Sequence, residues 1–231
     1  MQKLTSELQR LYLLAGQQHD ARSVDLVKDG MVRTLVIDFH KADGEQHWAR
    51  LCDVANALQT ELGLPAPAVS VSGGESYRLW LSLAQAVTET QAKQFLALLH
   101  KAYFEDEAID FGRSRVDLPP AQNRATGLWA AFINPSMGGA LAEDLGLEMA
   151  PPDAAQAAFL DGLVSISAED YQQALATLQR KHASAPAAAA IPDASAAAPA
   201  GLLLKDATLE DIVRHLHAMG IEPTFRHVLK H

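Results

Sequence analysis

The sequence predicts an α/β or α+β fold in which helices flank a mixed β-sheet. First, segments with apolar residues at helical spacing alternate along the chain with shorter, strand-like apolar runs. Second, an Asp-Gly pair at 29–30 separates two apolar runs, which is typical of a β-hairpin. Third, hydrophobic residues make up 48% of the chain and charged residues 20%, as in a globular protein with an interior.

Helical periodicity and boundary residues place each element in order. The predicted helices cover residues 1–18, 46–62, 88–104 and 167–181. Leu4, Leu8 and Leu11 share one side of the first helix, and Gly63 ends the second. The predicted strands cover residues 22–28, 32–40, 67–72, 77–83, 108–112 and 115–119. Residues 129–133 fit either a strand or a short helix.

Composition divides the chain into three parts. Residues 1–181 have the mixed pattern of a globular domain, whereas residues 182–201 are dominated by Ala, Pro and Ser. The recurring prolines prevent a long helix, so this stretch is predicted to be a linker. Residues 202–231 form a tail in which positions 206–219 fit one amphipathic helix. A single such helix must cover its apolar side, so it is expected to dock back on the globular domain, pair with a second copy or bind a protein partner.

Bulk charge and cysteine content exclude several classes of protein. The net charge of -9 at pH 7 argues against a protein that coats nucleic acid or an anionic membrane, although it permits a local basic groove. Cys52 is the single cysteine, so no disulfide forms within the chain, and its helical pattern predicts a packing residue. No stretch reaches the ~20 apolar residues of a membrane span, and the N-terminus lacks the layout of a signal peptide. We therefore expect a cytoplasmic protein.

The strand-like stretch VRTLVIDFH ends in polar residues that share one face. Side chains two positions apart on a strand point the same way, so Asp38 and His40 lie together while Phe39 points to the other side. This pattern indicates either the edge of a site or the solvated end of an ordinary strand.

A glycine pair separates the next two strands. The exposed N–H groups of Gly73 and Gly74 are able to hold an anion, with the Ser72 hydroxyl beside them. Arg78 adds a guanidinium whose geometry suits phosphate. The alternative is a hairpin turn that requires glycine for its geometry alone.

The order of these pieces resembles the archaeo-eukaryotic primase superfamily, which includes primase small subunits and the polymerase domains of bacterial end-joining ligases. Members have two acids spaced by one residue at a strand end, then a Ser-Gly-rich turn leading to a His, then a third acid followed by a proline-containing element. Asp38 matches the first acid, residues 72–74 match the turn, Asp110 matches the third acid, and RVDLPP at 115–120 resembles the last element. The resemblance covers residues 30–125.

The resemblance implies a primase-like domain with divalent metal, Mg²⁺ or Mn²⁺, held by the catalytic residues Asp38, His40 and Asp110. It also implies phosphate or nucleotide contacts from Ser72, Gly73, Gly74, Arg78, Arg113 and Arg115. Two departures are chemically serious. His40 stands where the family has its second acid, and its nitrogen suits Zn²⁺ or Mn²⁺ better than Mg²⁺. Arg78 stands where the family has its His. We therefore expect nucleotidyl transfer to be reduced or lost while phosphate binding survives.

The partners implied are a nucleotide or nucleic acid and no membrane. With Arg78, the arginines at 113, 115 and 124 fit a basic strip for DNA or RNA. The alternative is that they pair with the acids nearby in sequence, Asp106, Glu107, Asp110 and Asp117. The competing function is a non-enzymatic interaction protein that docks partners through its C-terminal helix.

Overall fold

The structure, a computed structural model, describes residues 2–17, 23–104 and 113–184. The chain separates into two units, Met1–Pro186 and Ala187–His231, and every described residue belongs to the first. The predicted C-terminal helix, most of the predicted linker, and Asp110 therefore lie outside the described residues.

The described residues form five α-helices and eight β-strands. The helices are α1 (Gln2–Tyr12), α2 (Gln46–Thr60), α3 (Glu89–Tyr103), α4 (Asp153–Asp161) and α5 (Ala168–Ser184). The strands are β1 (Ser23–Asp25), β2 (Val27–Lys28), β3 (Met31–His40), β4 (Ala68–Val71), β5 (Ser76–Thr88), β6 (Arg115–Asp117), β7 (Ala121–Gln122) and β8 (Trp129–Ile133). Short 3-10 turns cover Asp43–Glu45, Pro135–Met137 and Gly139–Leu141. No helix in the described ranges is long and apolar enough to cross a membrane.

A six-stranded sheet forms the centre of the domain, and helices cover it. Its strand order is β2-β3-β5-β4-β8-β7, while β1 and β6 form a separate two-stranded sheet. All pairs between these strands are antiparallel. The parallel contact in the described part is an isolated bridge between Leu83 and Ile166. The α+β fold class predicted from the sequence is confirmed, but the strands of the six-stranded sheet pair antiparallel where a mixed sheet was predicted.

The hairpin predicted at the Asp-Gly pair joins β2 to β3. Both turn residues adopt positive φ, 52° at Asp29 and 73° at Gly30, as a tight two-residue turn between twisted strands requires. Val27 consequently pairs with Val32, and this register fixes which side chains of β3 face each side of the sheet.

The two faces of the sheet support two different cores. Ile37 and Phe39 belong to the larger core, which α2, α3 and α5 cover. Val36 and Trp80 belong to the second core, together with apolar residues of α1 and α4. The strands alternate sides, so the polar residues Asp38 and Arg78 lie on the same face as the second core. This core covers only part of that face, and a polar cleft occupies the rest.

Several elements differ from the sequence prediction. The first helix ends at Tyr12 instead of at 18, and the strand predicted over 22–28 is divided into β1 and β2. Helix α4 and strand β7 were not predicted, because α4 buries few apolar residues and β7 has only two residues. Helix α5 ends at Ser184, three residues beyond its predicted end at 181. The Gln156 side chain explains why α4 lies beside the sheet. It accepts from the backbone N–H of Phe132 at 2.8 Å and donates to its carbonyl at 2.9 Å.

Candidate functional site

The pairing of β3 with β5 brings the predicted site residues together. Asp38 lies opposite Arg78 in the ladder, and His40 lies opposite Ser76. Phe39 points to the other face, where it contacts Phe104 at a ring-centroid distance of 6.0 Å. The predicted alternation at the end of β3 is therefore present, and the strand end has one polar and one apolar side.

Asp38 is a buried carboxylate with three cationic or hydroxyl neighbours. Its side chain has 0% exposure. One carboxylate oxygen, Oδ1, accepts from the Ser76 hydroxyl at 2.9 Å and from the Arg78 Nε at 3.0 Å. The other oxygen, Oδ2, forms an ion pair with the Arg113 Nε at 2.8 Å. Two guanidinium groups therefore converge on one carboxylate, which leaves an excess positive charge at this point.

Several polar atoms of this cluster remain unsatisfied. The Arg78 Nη1 is buried, and no described residue offers it a hydrogen-bond partner. The Arg113 Nε is also buried, and its neighbour is the Asp38 Oδ2 at 2.8 Å. Asp38 Oδ2 is likewise buried without a hydrogen bond, because the N–H of the nearby Arg113 Nε is not aligned with it. Buried donors without partners are costly, and a ligand that supplies acceptors removes this cost. The excess charge and the unsatisfied donors both favour an anion.

A cleft of about 460 Å³ opens over this cluster. The ends of β3 and β5 form one wall, and the segment from Arg113 to Arg124 forms another. The described residues that line it are His40, Ser72, Glu75, Ser76, Arg78, Arg113, Asp117, Ala121, Gln122, Asn123, Arg124 and Ala130. Arg78 is only 8% exposed and lies at the floor, while His40, Glu75 and Arg124 are exposed at the rim.

The glycine turn has a different role from the predicted anion cradle. The N–H groups of Gly73 and Gly74 donate to the Leu145 carbonyl at 2.9 and 3.0 Å. These two donors are already paired within the protein, so they do not hold an anion here, and the contacts favour the structural interpretation of the pair. The Ser72 hydroxyl accepts from the N–H groups of Glu75 and Ser76 and keeps its own proton to donate.

The predicted basic strip divides into two parts. Arg78, Arg113 and Arg124 line the cleft. Arg115 instead donates to the Ser23 hydroxyl at 2.7 Å and lies 3.7 Å from the Asp25 carboxylate, on the pair of strands β1 and β6. It is not among the described residues that line the cleft. Three of the four arginines therefore converge, and Arg115 does not join them.

The divalent metal ion that the resemblance implies stays a prediction, and the described residues include two of its three predicted ligands, Asp38 and His40. No three His, Cys, Asp or Glu side chains of the described ranges lie close enough together to hold one. A cation at Asp38 would also have to displace two guanidinium groups from that carboxylate. Asp110 lies outside the described residues, so its predicted role as a ligand stays a prediction.

Cys52 has the surroundings of a packing residue. It is half-buried in α2, and burial, followed by the nearby Asp53 carboxylate, raises the pKa of its thiol. A raised pKa lowers the thiolate fraction at neutral pH, which is the opposite of what a nucleophilic cysteine requires.

Sequence reasoning missed two parts of the cleft. Ser76 was not singled out, although its place two residues before Arg78 on the same strand puts it on the same face. The wall at residues 121–123 was not predicted either, although the neighbouring Arg124 was. It depends on a pairing between β7 and β8 for which the sequence gives no strong signal.

No protein-family model and no curated protein sequence matches this chain. The solved structures that match include the AEP domain of the primase-polymerase (PrimPol) of cyanophage S-2L, with a TM-score of 0.32 and 14% sequence identity. The match covers 57% of this chain and 61% of that one, so the chain spans about three fifths of the structure it matches. This is a weak and partial likeness in fold.

Proposed function

We propose that this domain is a divergent primase-polymerase-like protein whose cleft binds the phosphate groups of a nucleotide or nucleic acid, with nucleotidyl transfer reduced or lost. The observation that carries the proposal is the pair of arginines at the cleft floor. Arg78 is almost fully buried, and its Nη1 has no hydrogen-bond partner among the described residues.

Guanidinium groups suit phosphate because they present several N–H donors in a fixed plane. Hydrogen bonds between charged groups are shorter and about twice as strong as neutral ones. The low exposure of the floor strengthens such contacts further, since less water screens the charges. Asp38 fixes the orientation of Arg78 and Arg113 before a ligand arrives, which lowers the entropy lost on binding.

Reduced transfer follows from the state of the carboxylates. Two-metal phosphoryl chemistry uses metal ions about 4 Å apart, held by hard oxygen ligands. Asp38 is neutralised by its arginines, and His40 supplies nitrogen where the related family has an acid. Neither Asp38 nor His40 therefore offers an unpaired carboxylate to a metal ion.

Substitution of Arg78 by glutamine is expected to weaken nucleotide binding by roughly 10- to 100-fold. The variant loses a charge-assisted contact worth about 1.5 to 3 kcal/mol. Isothermal titration calorimetry with a nucleoside triphosphate measures the change. Arg115→Gln is the matched control, because it removes the same charge outside the cleft. Equal nucleotide affinities of the wild type and Arg78→Gln would contradict the proposed site. Absence of nucleotide binding by the wild type would contradict the proposed function.

We expect no nucleotide incorporation by the wild-type protein on a primed DNA or RNA template with either Mg²⁺ or Mn²⁺. The physical reason is the ion-paired state of Asp38. Gel-resolved primer extension with labelled nucleotides is the measurement, and an active polymerase serves as the positive control. Extension by wild type that disappears in both Asp38→Asn and Asp110→Asn would show that catalysis survives, and that the predicted metal ligands act together.

A further inference from the structure

We propose that the cleft takes one phosphate monoester group of a small, nucleotide-sized molecule, binds it without a metal ion, and disfavours a polyanionic strand. This inference rests on the proposed function, because it requires that phosphate enters the cleft. It goes further by naming the class of ligand and by assigning Asp38 as a counter-ion instead of a metal ligand.

Asp38 acts by positioning the two arginines. Its Oδ1 holds the Arg78 Nε at 3.0 Å, and its Oδ2 lies 2.8 Å from the Arg113 Nε. Both contacts use the Nε of the guanidinium, and the Arg78 Nη1 has no hydrogen-bond partner among the described residues, so it is able to donate to a ligand. The Ser76 hydroxyl adds a third contact to Asp38 and fixes the carboxylate. A metal ion at the same oxygens would bring a third positive centre against the two guanidinium charges, whereas a phosphate neutralises their excess.

The cleft concentrates positive charge where Arg78 and Arg113 meet at Asp38, while Arg124 lies at the rim. Its arginines, Arg78, Arg113 and Arg124, are matched in number by the carboxylates of Asp38, Glu75 and Asp117. Glu75 and Asp117 are exposed carboxylates. A ligand with one phosphate places that group on the arginines and keeps the remainder away from these acids. A strand with a phosphate on every nucleotide brings further negative charges against them, and the whole chain carries a net charge of -9.

The size of the cleft agrees with a small ligand. A volume of about 460 Å³ falls within the range of roughly 300 to 1,000 Å³ that is usual for small-molecule sites. Proteins that track nucleic acid gain affinity from many phosphate contacts, and their affinity falls steeply with salt. A site that meets one phosphate group with Arg78 and Arg113 releases no atmosphere of condensed counterions, so we expect its affinity to fall much less steeply with salt.

The test compares two probes on the full chain, adenosine 5′-monophosphate and a single-stranded oligonucleotide that lacks terminal phosphates. Calorimetry and fluorescence anisotropy are run in EDTA, in Mg²⁺ and over a salt series. We expect the monophosphate to bind equally in EDTA and in Mg²⁺, inorganic phosphate to compete with it, and the oligonucleotide to bind at least tenfold more weakly. Arg78→Gln and Arg113→Gln each weaken monophosphate binding at least tenfold, and Arg115→Gln leaves it unchanged.

A variant at the rim keeps the test decisive if an arginine variant fails to fold. Glu75→Gln removes an exposed acid and is expected to raise oligonucleotide affinity severalfold while it changes monophosphate affinity less. Tighter oligonucleotide binding with a steep salt slope, or loss of monophosphate binding in EDTA, overturns this inference but leaves the proposed function standing. Absence of binding for both probes overturns the proposed function as well.

Discussion

Replacement of Asp38 by alanine is expected to lower the free energy of unfolding by about 3 to 5 kcal/mol, because it leaves two guanidinium groups without their counter-ion. Arg78 is 8% exposed and lies at the floor of the cleft, so little water reaches its guanidinium to replace the carboxylate. In a chain of 231 residues this change corresponds to a fall of about 10 °C in Tm. Urea denaturation followed by circular dichroism measures the loss.

Asp53→Ala is the matched control, since Asp53 is an exposed acid on α2 and exposed substitutions change stability by about 0.5 kcal/mol or less. The two interpretations of Asp38 predict opposite results. A metal ligand that the fold does not need leaves stability nearly unchanged when it is removed, and only activity falls. Asp38→Ala with wild-type stability would therefore contradict the counter-ion role.

Gly74→Ala is expected to destabilise the protein by about 2 kcal/mol or more, because the substitution combines a strained backbone with a steric clash. Gly74 has a φ of 144°, which L-residues rarely adopt. An added Cβ would lie 2.6 Å from the Thr126 Cγ2, and Thr126 is held in place by the hydrogen bond from its hydroxyl to the Gly73 carbonyl. Thermal unfolding followed by circular dichroism measures the change.

Gly63→Ala measures the cost of a positive φ without a steric clash. Gly63 also has positive φ, 67°, but no atom of the described residues lies within 4 Å of its added Cβ. We therefore expect Gly63→Ala to lower the free energy of unfolding by about 1 kcal/mol, the cost of the strained backbone alone. If the two substitutions cost the same, the turn does not pack against Thr126 as the structure places it, and the structural interpretation of the glycine pair loses its support.

Local patterns predicted much of the fold. The Asp-Gly hairpin at 29–30, the strand 32–40 and the helix that begins at Glu89 depend on residues close in sequence, so they can be read from turn chemistry and periodicity. At the start of this helix, Thr88 accepts from the N–H of Gln91, and Gln91 returns the contact to the Thr88 N–H. Such capping signals are contained within four residues.

The site was predicted only in part, because its chemistry depends on long-range pairing. Asp38 and Arg78 were both singled out, but 40 positions separate them, and nothing local to either predicts that they form an ion pair. The glycine N–H groups find their acceptor at Leu145, far along the chain. A residue type thus indicates which interactions are available to it, and the register of the sheet decides which of them are used.

The contact between Gln156 and Phe132 has a consequence for solubility. Strand β7 pairs with β8 only at Ala130 and Trp129, so without the glutamine the backbone groups of Phe132 would form an open border of the sheet. Open borders recruit strands from other molecules and start aggregation. The Gln156 amide makes the two hydrogen bonds that a neighbouring strand would make, one with the N–H and one with the carbonyl of Phe132. Because Phe132 and Gln156 are both buried, helix α4 and its glutamine together close this border of the sheet, and a shorter side chain at position 156 would leave two backbone groups without partners.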